Sequence, residues 1–407
     1  MYNPSVRILL LNLYYPPDTS ATAKMAETVV NAVAREHEVT IVCGRPSYDT
    51  SERRAWRLWQ TEKKNGVSIV RVGSTDFPRF KMKKRVLNYL TYTALVIPRA
   101  LFTPCDAVLA MTDPPFEGII GAFVAMLKRK PYFYNIRDMY PDMAVGGGLM
   151  ANSPVAWIWE KLHRWALRRA TKVIVLGEDM RFRITSKGVL AERIEIVRDG
   201  VDLGRHGKEE IDPGVVAQIR GEFRFVLVHA GNLGFYGDWD ALLGVARELA
   251  RSKPEIGLVF IGEGAQKARV QQAAANLPNV RFLPFFPASK IPSVLAAADA
   301  HLITVKHGLE GVVVPSKMYG ILAAGKPMLA LVPEFSEAER IVNGVECGHA
   351  DCPLDGVEDF AEYIGGLAND PERVRKMGEA ALAAAPAYDR VKELEKFVHI
   401  VGRSRSR

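Results

Sequence analysis

Two glycine-rich segments have the composition and position of phosphate-binding turns. Gly231-Asn232-Leu233-Gly234 follows an apolar, strand-like run and precedes a segment with helical patterning. Gly262-Glu263-Gly264 follows another such run about 30 residues later. Glycine lets a backbone approach a phosphate closely, and a helix that begins after the turn adds N–H groups that attract an anion. We predict that both turns bind a diphosphate; glycine-rich turns that hold no ligand are the alternative.

A second candidate for anion binding is the segment Val314-Pro315-Ser316-Lys317. The proline and the helical pattern after it predict that a helix begins at Ser316 and Lys317. Backbone N–H groups and the Lys317 ammonium would then attract an anion. Lys306, at the end of the preceding strand-like run, would add a second positive charge against a leaving diphosphate. The alternative is a strand–loop–helix connection that carries a surface lysine.

Asp138 is the candidate for proton transfer. A reaction at a hydroxyl group needs a carboxylate or an imidazole that accepts the hydroxyl proton. Asp138 follows the strand-like run 132–136, where parallel sheets present their ligand-binding edge. We predict that it is the base or positions the acceptor, and a structural Asp that caps the next segment is the alternative. The sequence also suggests that His163 is an ordinary helix-surface residue.

The elements that must position these residues form two consecutive α/β units. The first 45 residues read as strand, helix and strand, which is a βαβ unit, and an equivalent pattern restarts at Phe225. We predict two Rossmann-like domains, residues 1–205 and 206–386, with parallel sheets. Since such sheets bind ligands at the carboxyl ends of their strands, the two binding edges should face a central cleft.

Positive charge is concentrated in the first half of the chain. Residues 1–190 carry 28 Lys and Arg against 16 Asp and Glu, whereas residues 191–407 carry 26 against 30. This asymmetry favours an anionic partner for the first half. Its densest basic cluster precedes an apolar, helix-like run and consists of Arg79, Lys81, Lys83, Lys84 and Arg85. Basic and apolar residues together are typical of docking on an anionic bilayer; apolar packing in the core beneath a solvated charged face is the alternative.

The overall composition excludes several classes of protein. With 48% hydrophobic and 25% charged residues, the chain is typical of a globular protein. Its four cysteines have no Cys-x-x-Cys spacing, so we expect neither a disulfide framework nor structural zinc. No apolar run approaches the length of a membrane span, and we expect a cytoplasmic protein. The basic residues lack the aromatic interleaving and motifs of nucleic-acid binding.

Six motifs in order give the chain a family resemblance. They are Tyr14-Tyr15-Pro16-Pro17, Arg137-Asp138-Met139-Tyr140-Pro141-Asp142, Val197-Arg198-Asp199-Gly200-Val201-Asp202, Gly231-Asn232-Leu233-Gly234, Val314-Pro315-Ser316-Lys317-Met318-Tyr319 and Ala323-Ala324-Gly325-Lys326-Pro327. In this set the sequence resembles the family 4 glycosyltransferases of the GT-B fold, in particular the bacterial O-antigen, capsule and exopolysaccharide branch. The resemblance implies a nucleotide-sugar donor in the second domain, an acceptor facing the first, retention of anomeric configuration and no required metal or cofactor. It also implies that the helix at 387–402 packs back on the first domain.

The sequence departs from the family pattern around the donor. The two glutamates that the family places seven residues apart correspond to Val312 and Gly320, so both are absent. Glu310 lies two residues from the first position and is the candidate replacement. The arginine and lysine that many members use beside the diphosphate correspond to Asn232 and Gly237.

The loop after Pro17 also differs from the family. Where the family has paired glycines near the donor phosphate, this chain has small residues that include Ser20 and Ala21. Their small side chains still leave room for a phosphate, so both are counted among the nucleotide-sugar-binding residues.

The ordered family motifs, the two α/β units and the charge asymmetry together predict a glycosyltransferase. From the family resemblance we expect it to be metal-independent, retaining and of hexosyl or N-acetylhexosaminyl type. It would move a sugar from a nucleotide donor, preferably a UDP-sugar, to a lipid-linked saccharide acceptor at the inner face of the cell membrane, in surface polysaccharide synthesis. Three alternatives stay open. They are a sugar-nucleotide epimerase or hydrolase of the same fold, a non-catalytic sugar-nucleotide-binding paralogue, and a glycosyltransferase of a soluble natural product.

Overall fold

The computed structural model describes residues 5–46, 56–77, 82–204 and 210–402. In these ranges the chain forms two separate β-sheets, each covered by helices. This arrangement confirms the predicted α/β class with two Rossmann-like units. The predicted boundary between residues 205 and 206 lies outside the described residues and stays a prediction.

The first sheet has eight strands within the described residues, in the order β3-β4-β2-β1-β5-β6-β7-β8. The strands are β1 (Arg7–Leu11), β2 (Glu38–Cys43), β3 (Trp59–Lys64), β4 (Val67–Val72), β5 (Ala107–Ala110), β6 (Tyr132–Asn135), β7 (Lys172–Val175) and β8 (Ile194–Ile196). The accompanying helices are α1 (Ala21–Val33), α2 (Met82–Phe102), α3 (Glu117–Lys128), α4 (Asp142–Gly146), α5 (Pro154–Arg169) and α6 (Glu178–Ser186).

The second sheet has six parallel strands in the same described part of the chain, in the order β11-β10-β9-β12-β13-β14. The strands are β9 (Phe225–Ala230), β10 (Ile256–Ile261), β11 (Val280–Leu283), β12 (Ala300–Thr304), β13 (Met328–Leu331) and β14 (Gly348–Asp351). The remaining helices are α7 (Pro213–Arg220), α8 (Trp239–Ser252), α9 (Lys267–Ala273), α10 (Ile291–Ala297), α11 (Lys317–Ala323), α12 (Glu337–Val345), α13 (Glu358–Leu367), α14 (Pro371–Ala384) and α15 (Arg390–Gly402).

The central strands are apolar on both faces because helices cover both sides of each sheet. Strands β9 and β10, for example, are buried along almost their whole length. Helix α15 is the last helix of the described residues, but it packs on the first unit: its Phe397 and Val401 share one hydrophobic cluster with Val29 of α1 and Ile8 of β1.

One strand departs from the predicted parallel arrangement. Strand β3 pairs antiparallel with β4 at the edge of the first sheet. The two strands are joined by Asn65 and Gly66, which have φ of 50° and 80°. An Asn-Gly pair between strands is the usual signal of a two-residue hairpin. The strand was not predicted because Trp59–Lys64 is polar and lies largely exposed, so it lacks the apolar run of a buried strand.

Candidate functional site

The two predicted phosphate-binding turns lie side by side at the carboxyl edge of the second sheet. Strands β9 and β10 are direct neighbours, as the spacing of the turns suggested. The backbone N–H of Leu233 donates to the carbonyl of Glu263 at 2.9 Å. Gly262 has φ of 148°, and a Cβ there would lie 1.9 Å from the carbonyl oxygen of Gly231. The glycine at 262 is therefore required for the two turns to approach each other.

Within these turns the side chains differ in what they offer a ligand. Asn232 is exposed, and Gly231 and Gly264 are half-buried beside it. The Leu233 side chain is fully buried in the core of the second unit, which limits its predicted contact with a ligand to backbone atoms. The Glu263 carboxylate pairs with the Lys267 ammonium at 2.6 Å and so faces its own helix. The candidate surface for a phosphate is mainly backbone and the Asn232 amide.

Lys317 begins helix α11, as predicted, and its ammonium lies against a histidine. Its Nζ is 2.8 Å from Nδ1 of His229, on the buried strand β9. Burial lowers the pKa of Lys317 to about 7. Burial, followed by the charge of Lys317, lowers the pKa of His229 well below its usual range. The neutral imidazole therefore accepts a hydrogen bond from an amine that titrates near neutral pH.

The rest of the 310–320 segment divides into buried and accessible positions. Val314 and Pro315 are buried, whereas Ser316 is exposed and its side chain makes no capping hydrogen bond at the start of α11. Glu310, the candidate replacement for a family glutamate, lies 3.9 Å from the Arg183 guanidinium, and one of its carboxylate oxygens is buried without a hydrogen-bond partner.

The positions that correspond to the family glutamates have different surroundings. Val312 is fully buried, and its carbonyl accepts a hydrogen bond from the N–H of Met139 at 2.9 Å. A carboxylate at this position would therefore lose water without gaining a ligand contact. At Gly320 nothing lies within 4 Å of the place that a Cβ would take, so space remains next to the α11 backbone.

Asp138 joins the two units at the cleft. It forms an isolated antiparallel bridge with Val313, four residues before Lys317. Burial, and then the nearby carboxylate of Asp113, raises the pKa of Asp138 to about 6, although the Arg137 guanidinium opposes the rise. A carboxyl group with such a pKa exchanges protons readily near neutral pH, which suits a general base or acid.

Tyr236 connects the glycine turn, Lys306 and Asp138. Its hydroxyl donates to the carbonyl of Asn232 at 3.0 Å, and its own carbonyl accepts from the N–H of Lys306 at 2.7 Å. Burial, and then the Asp138 carboxylate, raises the pKa of Tyr236 to about 12. The side chain of Lys306 itself is exposed at the end of β12. The structure thus gathers Asp138, Lys306 and the first glycine turn around one tyrosine.

Ser20 and Ala21 lie at the start of helix α1, on the same edge of the first sheet as Asp138. The Ser20 hydroxyl accepts a hydrogen bond from the N–H of Ala23 at 3.0 Å and so serves as the helix N-cap. Ala21 is exposed. The hydroxyl is therefore engaged in the fold, and the exposed surface here is the backbone and methyl group of Ala21.

Part of the predicted basic cluster can be located. Arg79 and Lys81 lie outside the described residues, and of Lys83 only the backbone is described. The Lys84 ammonium lies 5.0 Å from the centre of the Phe77 ring. Arg85 donates from Nε to the Tyr89 hydroxyl at 2.7 Å. Both described cations belong to the first turn of α2.

Helix α2 is partly buried in the core and partly exposed, so core packing and a surface available for docking, the two alternatives left open by the sequence, both apply to it. Tyr89 and Tyr92 are buried in the core, but Val86, Leu87 and Leu90 are between 43% and 58% exposed. The helix therefore packs one face on the sheet and presents a second apolar face to the surroundings.

Sequence reasoning missed several residues of this region. His229 was not singled out as a site residue, although a histidine near the end of a buried strand, two residues before a glycine turn, lies close to the ligand edge. Tyr236 went unnoticed because a single tyrosine in a loop carries no pattern. His163 was wrong as a surface residue: it is 2% exposed, since the α5 face that carries it packs against Tyr134.

His163 also belongs to a group with the composition of a metal site. Among the described residues, Asp142, Glu160 and His163 offer ligand atoms within 4.8 Å of one another. The Lys187 ammonium lies 2.8 Å from both carboxylates, however, and therefore already supplies the positive charge of this cluster. The expectation that no metal is required remains a prediction.

Both units match known families. Residues 21–200 match the family described as "Glycosyl transferase 4-like domain", and residues 218–383 match "Glycosyl transferases group 1". With the two Rossmann-like sheets and the ligand edges that meet at Asp138, these matches define the class. The chain belongs to the family 4 glycosyltransferases of the GT-B fold, in agreement with the resemblance seen in the sequence.

Two bacterial relatives are similar over most of their length. WcaI of Escherichia coli, named for a glycosyl transferase role in colanic acid biosynthesis, is 22% identical over 83% of this chain and 86% of its own. WbjE of Pseudomonas aeruginosa, named as a glycosyltransferase, is 25% identical over 72% of each chain.

Solved structures with the same fold include HepE of Anabaena, determined with UDP and with UDP-glucose, and WaaG, named as a glycosyltransferase of lipopolysaccharide biosynthesis. HepE is 17% identical with a TM-score of 0.69 over 97% of this chain and 99% of its own. WaaG is 16% identical with a TM-score of 0.67 over the same shares. At this identity the likeness concerns the fold.

No helix among the described residues has the length and apolar character needed to cross a membrane.

Proposed function

We propose that this glycosyltransferase binds a nucleoside-diphosphate sugar in its second unit and transfers the sugar to a saccharide hydroxyl held against its first unit. The observation that carries the proposal is the bridge between Asp138 and Val313. It brings a carboxyl group of the first unit, with a pKa suited to proton transfer, beside the segment that leads to Lys317. Donor-binding and acceptor-binding groups then face the same space.

The donor groups we propose are the backbone of the paired glycine turns, the exposed start of α11 and the ammonium groups of Lys306 and Lys317. They offset charge on the leaving diphosphate, so no metal is needed. A UDP-sugar of hexosyl or N-acetylhexosaminyl type is our preferred donor, and the UDP complexes of the HepE fold support this choice. With Gly320 in place of a glutamate, we propose that the ribose is bound by other groups, with Glu310 the nearest carboxylate in sequence.

The sugar transfer breaks one bond, forms one bond and moves one proton, and the groups named above accommodate each change. The bond between the anomeric carbon and the β-phosphate oxygen breaks, and the electron pair goes to the diphosphate. The acceptor oxygen forms the new bond on the same face, which retains configuration. Its proton passes to the Asp138 carboxylate, and the charge that develops on the diphosphate is met by Lys317.

The acceptor we propose is a saccharide linked to a lipid phosphate at the inner face of the cell membrane. The names of WcaI and WaaG, which refer to colanic acid and lipopolysaccharide, favour a role in surface polysaccharide synthesis. The concentration of positive charge in residues 1–190 and the exposed apolar face of α2 favour peripheral contact with an anionic bilayer.

The experiment that tests the donor is a thermal-shift panel of UDP, GDP and ADP with their common sugars, followed by transfer of labelled sugar to membrane lipid extracts. We expect UDP compounds to stabilise the protein and label to enter a lipid-soluble product. Stabilisation by no nucleotide would remove the donor site. Release of free sugar with no acceptor product would favour a hydrolase instead.

A further inference from the structure

Helices α2, α3 and α5 enclose an apolar groove on the first unit. Helix α3 forms its floor, and α2 and α5 form its sides. Its volume is about 670 Å³, within the range of small-molecule sites. The lining residues, all apolar apart from one threonine, are Thr93, Ile97, Phe116, Ile119, Ile120, Phe123, Val155, Ile158, Trp159, Leu162 and Trp165.

The groove is open, and large apolar side chains lie exposed along it. Phe123, Leu162, Ile158 and Val155 are 37%, 45%, 52% and 66% exposed. Soluble proteins rarely expose a continuous apolar surface of this kind unless something binds there. Val155, Ile158 and Leu162 recur on one face of α5, because helical residues three and four apart are neighbours.

One end of the groove lies beside the candidate catalytic residue. Since α2, α3 and α5 each begin at the carboxyl edge of the first sheet, the groove starts at that edge. There Trp159 stacks on Tyr140, with 5.9 Å between ring centres. Tyr140 follows Asp138 by two residues, and the Asp138 carboxylate, after burial, raises the pKa of the Tyr140 hydroxyl.

The same end of the groove carries a positive charge. Phe116, which lines the groove, contacts the Tyr89 ring edge-on at 6.1 Å. The Tyr89 hydroxyl in turn accepts the 2.7 Å hydrogen bond from Arg85, whose guanidinium also lies 5.4 Å from the centre of the Tyr89 ring. The Arg85 guanidinium and the Asp138 carboxyl group thus both adjoin this end of the apolar groove, one through Tyr89 and the other through Tyr140.

We propose that the groove binds the hydrocarbon chain of a lipid-phosphate-linked acceptor. Arg85 binds the phosphate at the end of the chain, and the attached saccharide reaches Asp138. This inference rests on the proposed glycosyltransferase function and assigns the acceptor's lipid part to a defined site. The cation at this end of the groove favours this occupant: a second copy of the chain or a bilayer surface has no need of a single guanidinium where an apolar groove meets the catalytic edge.

The test uses geranylgeranyl phosphate as a monomeric probe on the full chain, without vesicles, with geranylgeraniol and glucose 1-phosphate as comparison ligands. Tryptophan fluorescence reports binding because Trp159 and Trp165 line the groove. We expect the lipid phosphate to bind more tightly than the alcohol, and the sugar phosphate to bind far more weakly than both.

Two substitutions test the apolar groove and the phosphate-binding arginine separately, and a third, outside the site, is the control. Leu162→Ser should weaken both lipids about tenfold, because it removes apolar contact. Arg85→Gln should weaken only the lipid phosphate, also about tenfold. Leu354→Ser, which changes a leucine of the second unit that is more exposed than Leu162, should change neither. Val155→Ser replaces Leu162→Ser if the latter melts below the wild type.

The outcomes distinguish this inference from the function on which it rests. UDP affinity should be unchanged in every variant. If UDP binds but the lipid phosphate does not, the groove assignment is overturned while the donor site stands. The same holds if the lipid phosphate binds Leu162→Ser as tightly as it binds the wild type. The groove assignment is also overturned if the protein binds vesicles but not the monomeric probe. It is overturned, too, if the wild type is a dimer in solution and the Leu162→Ser variant is a monomer.

Discussion

At the scale of single residues, the contact between Lys317 and His229 determines how the candidate donor site responds to pH. The two groups lie 2.8 Å apart and are both basic, so they cannot be charged together at low cost. Burial keeps the imidazole neutral, which leaves the amine as the group that gains or loses charge. A bound diphosphate favours the ammonium form.

The affinity for UDP should therefore fall as the pH rises above about 7, where Lys317 loses its proton. Losing a charged hydrogen bond costs about 1.5–3 kcal/mol, or roughly 10- to 100-fold in affinity. Calorimetric titration in the mildly alkaline range measures it, because the terminal phosphate of UDP is almost fully ionised there and no longer contributes to the pH dependence. Lys317→Arg, which keeps its charge, should bind UDP independently of pH. A flat profile for the wild type would exclude Lys317 from diphosphate binding.

Asp138→Asn should lower the turnover number about 10²- to 10⁴-fold, because an amide cannot accept the acceptor proton. The affinity for UDP should stay unchanged. In the wild type, the rate should fall as the pH drops through about 6, since the protonated carboxyl is inactive as a base. Initial rates of sugar transfer measure both effects. Asp240→Asn, on an exposed carboxylate, is the control. A variant as fast as the wild type would leave Asp138 with a structural role.

At the scale of elements, the paired glycine turns depend on the close approach of two backbones. Gly262→Ala places a methyl group 1.9 Å from a carbonyl oxygen at a φ that side chains rarely adopt. We expect a loss of about 1–3 kcal/mol in the free energy of unfolding and weaker UDP binding. Urea denaturation and calorimetry measure these. Gly366→Ala, in helix α13 with nothing within 4 Å of its Cβ, should be neutral or stabilising by up to about 1 kcal/mol. Equal stability of the two variants would contradict the proposed fit of the turns.

The buried strands and the glycine turns were the elements that the sequence predicted best. Their apolar runs repeat along the chain and leave few alternatives to a parallel sheet. Strand β3 was missed since its polar residues carry no such run, although the hairpin residues Asn65 and Gly66 marked its end. The contacts of His229 and Tyr236 could not be predicted, because they join segments that are far apart in sequence and depend on how two elements meet. The apolar groove, too, arises only when three helices from distant segments lie side by side.

At the scale of the whole molecule, the two units are held together by buried carboxylates. Glu337, at the start of α12, is 1% exposed and accepts hydrogen bonds from Arg198 Nε at 2.7 Å and from the N–H of Glu178 at 2.9 Å. Asp179 accepts from the N–H groups of Gly311 and Glu337. These bonds link the end of the first unit to the loops that surround the donor segment.

Glu337→Ala should lower the free energy of unfolding by about 3 kcal/mol, because it removes the buried carboxylate that pairs with the partly buried Arg198 guanidinium. Urea denaturation followed by tryptophan fluorescence measures the loss. The matched control is Glu372→Ala, which removes a carboxylate from an exposed ion pair on α14 and should leave stability unchanged. If both variants unfold at the wild-type urea concentration, Glu337 does not join the units in solution.

The charge asymmetry of the chain gives a prediction about the whole surface. Lys161, Arg168 and Arg169 are exposed on α5, beside the apolar groove. If this face meets an anionic bilayer, each cation contributes about 1 kcal/mol, so replacing all three by Gln should weaken vesicle binding about 100-fold. Co-sedimentation with vesicles that contain anionic lipid measures it. Binding should also weaken at high salt, because screening shortens the reach of these charges.

The matched control replaces Arg247, Arg251 and Lys376 by Gln. These residues belong to the half of the chain that carries net negative charge, so their replacement should have little effect on vesicle binding. Equal losses for the two triple variants would mean that total charge, not the α5 face, brings the protein to the membrane.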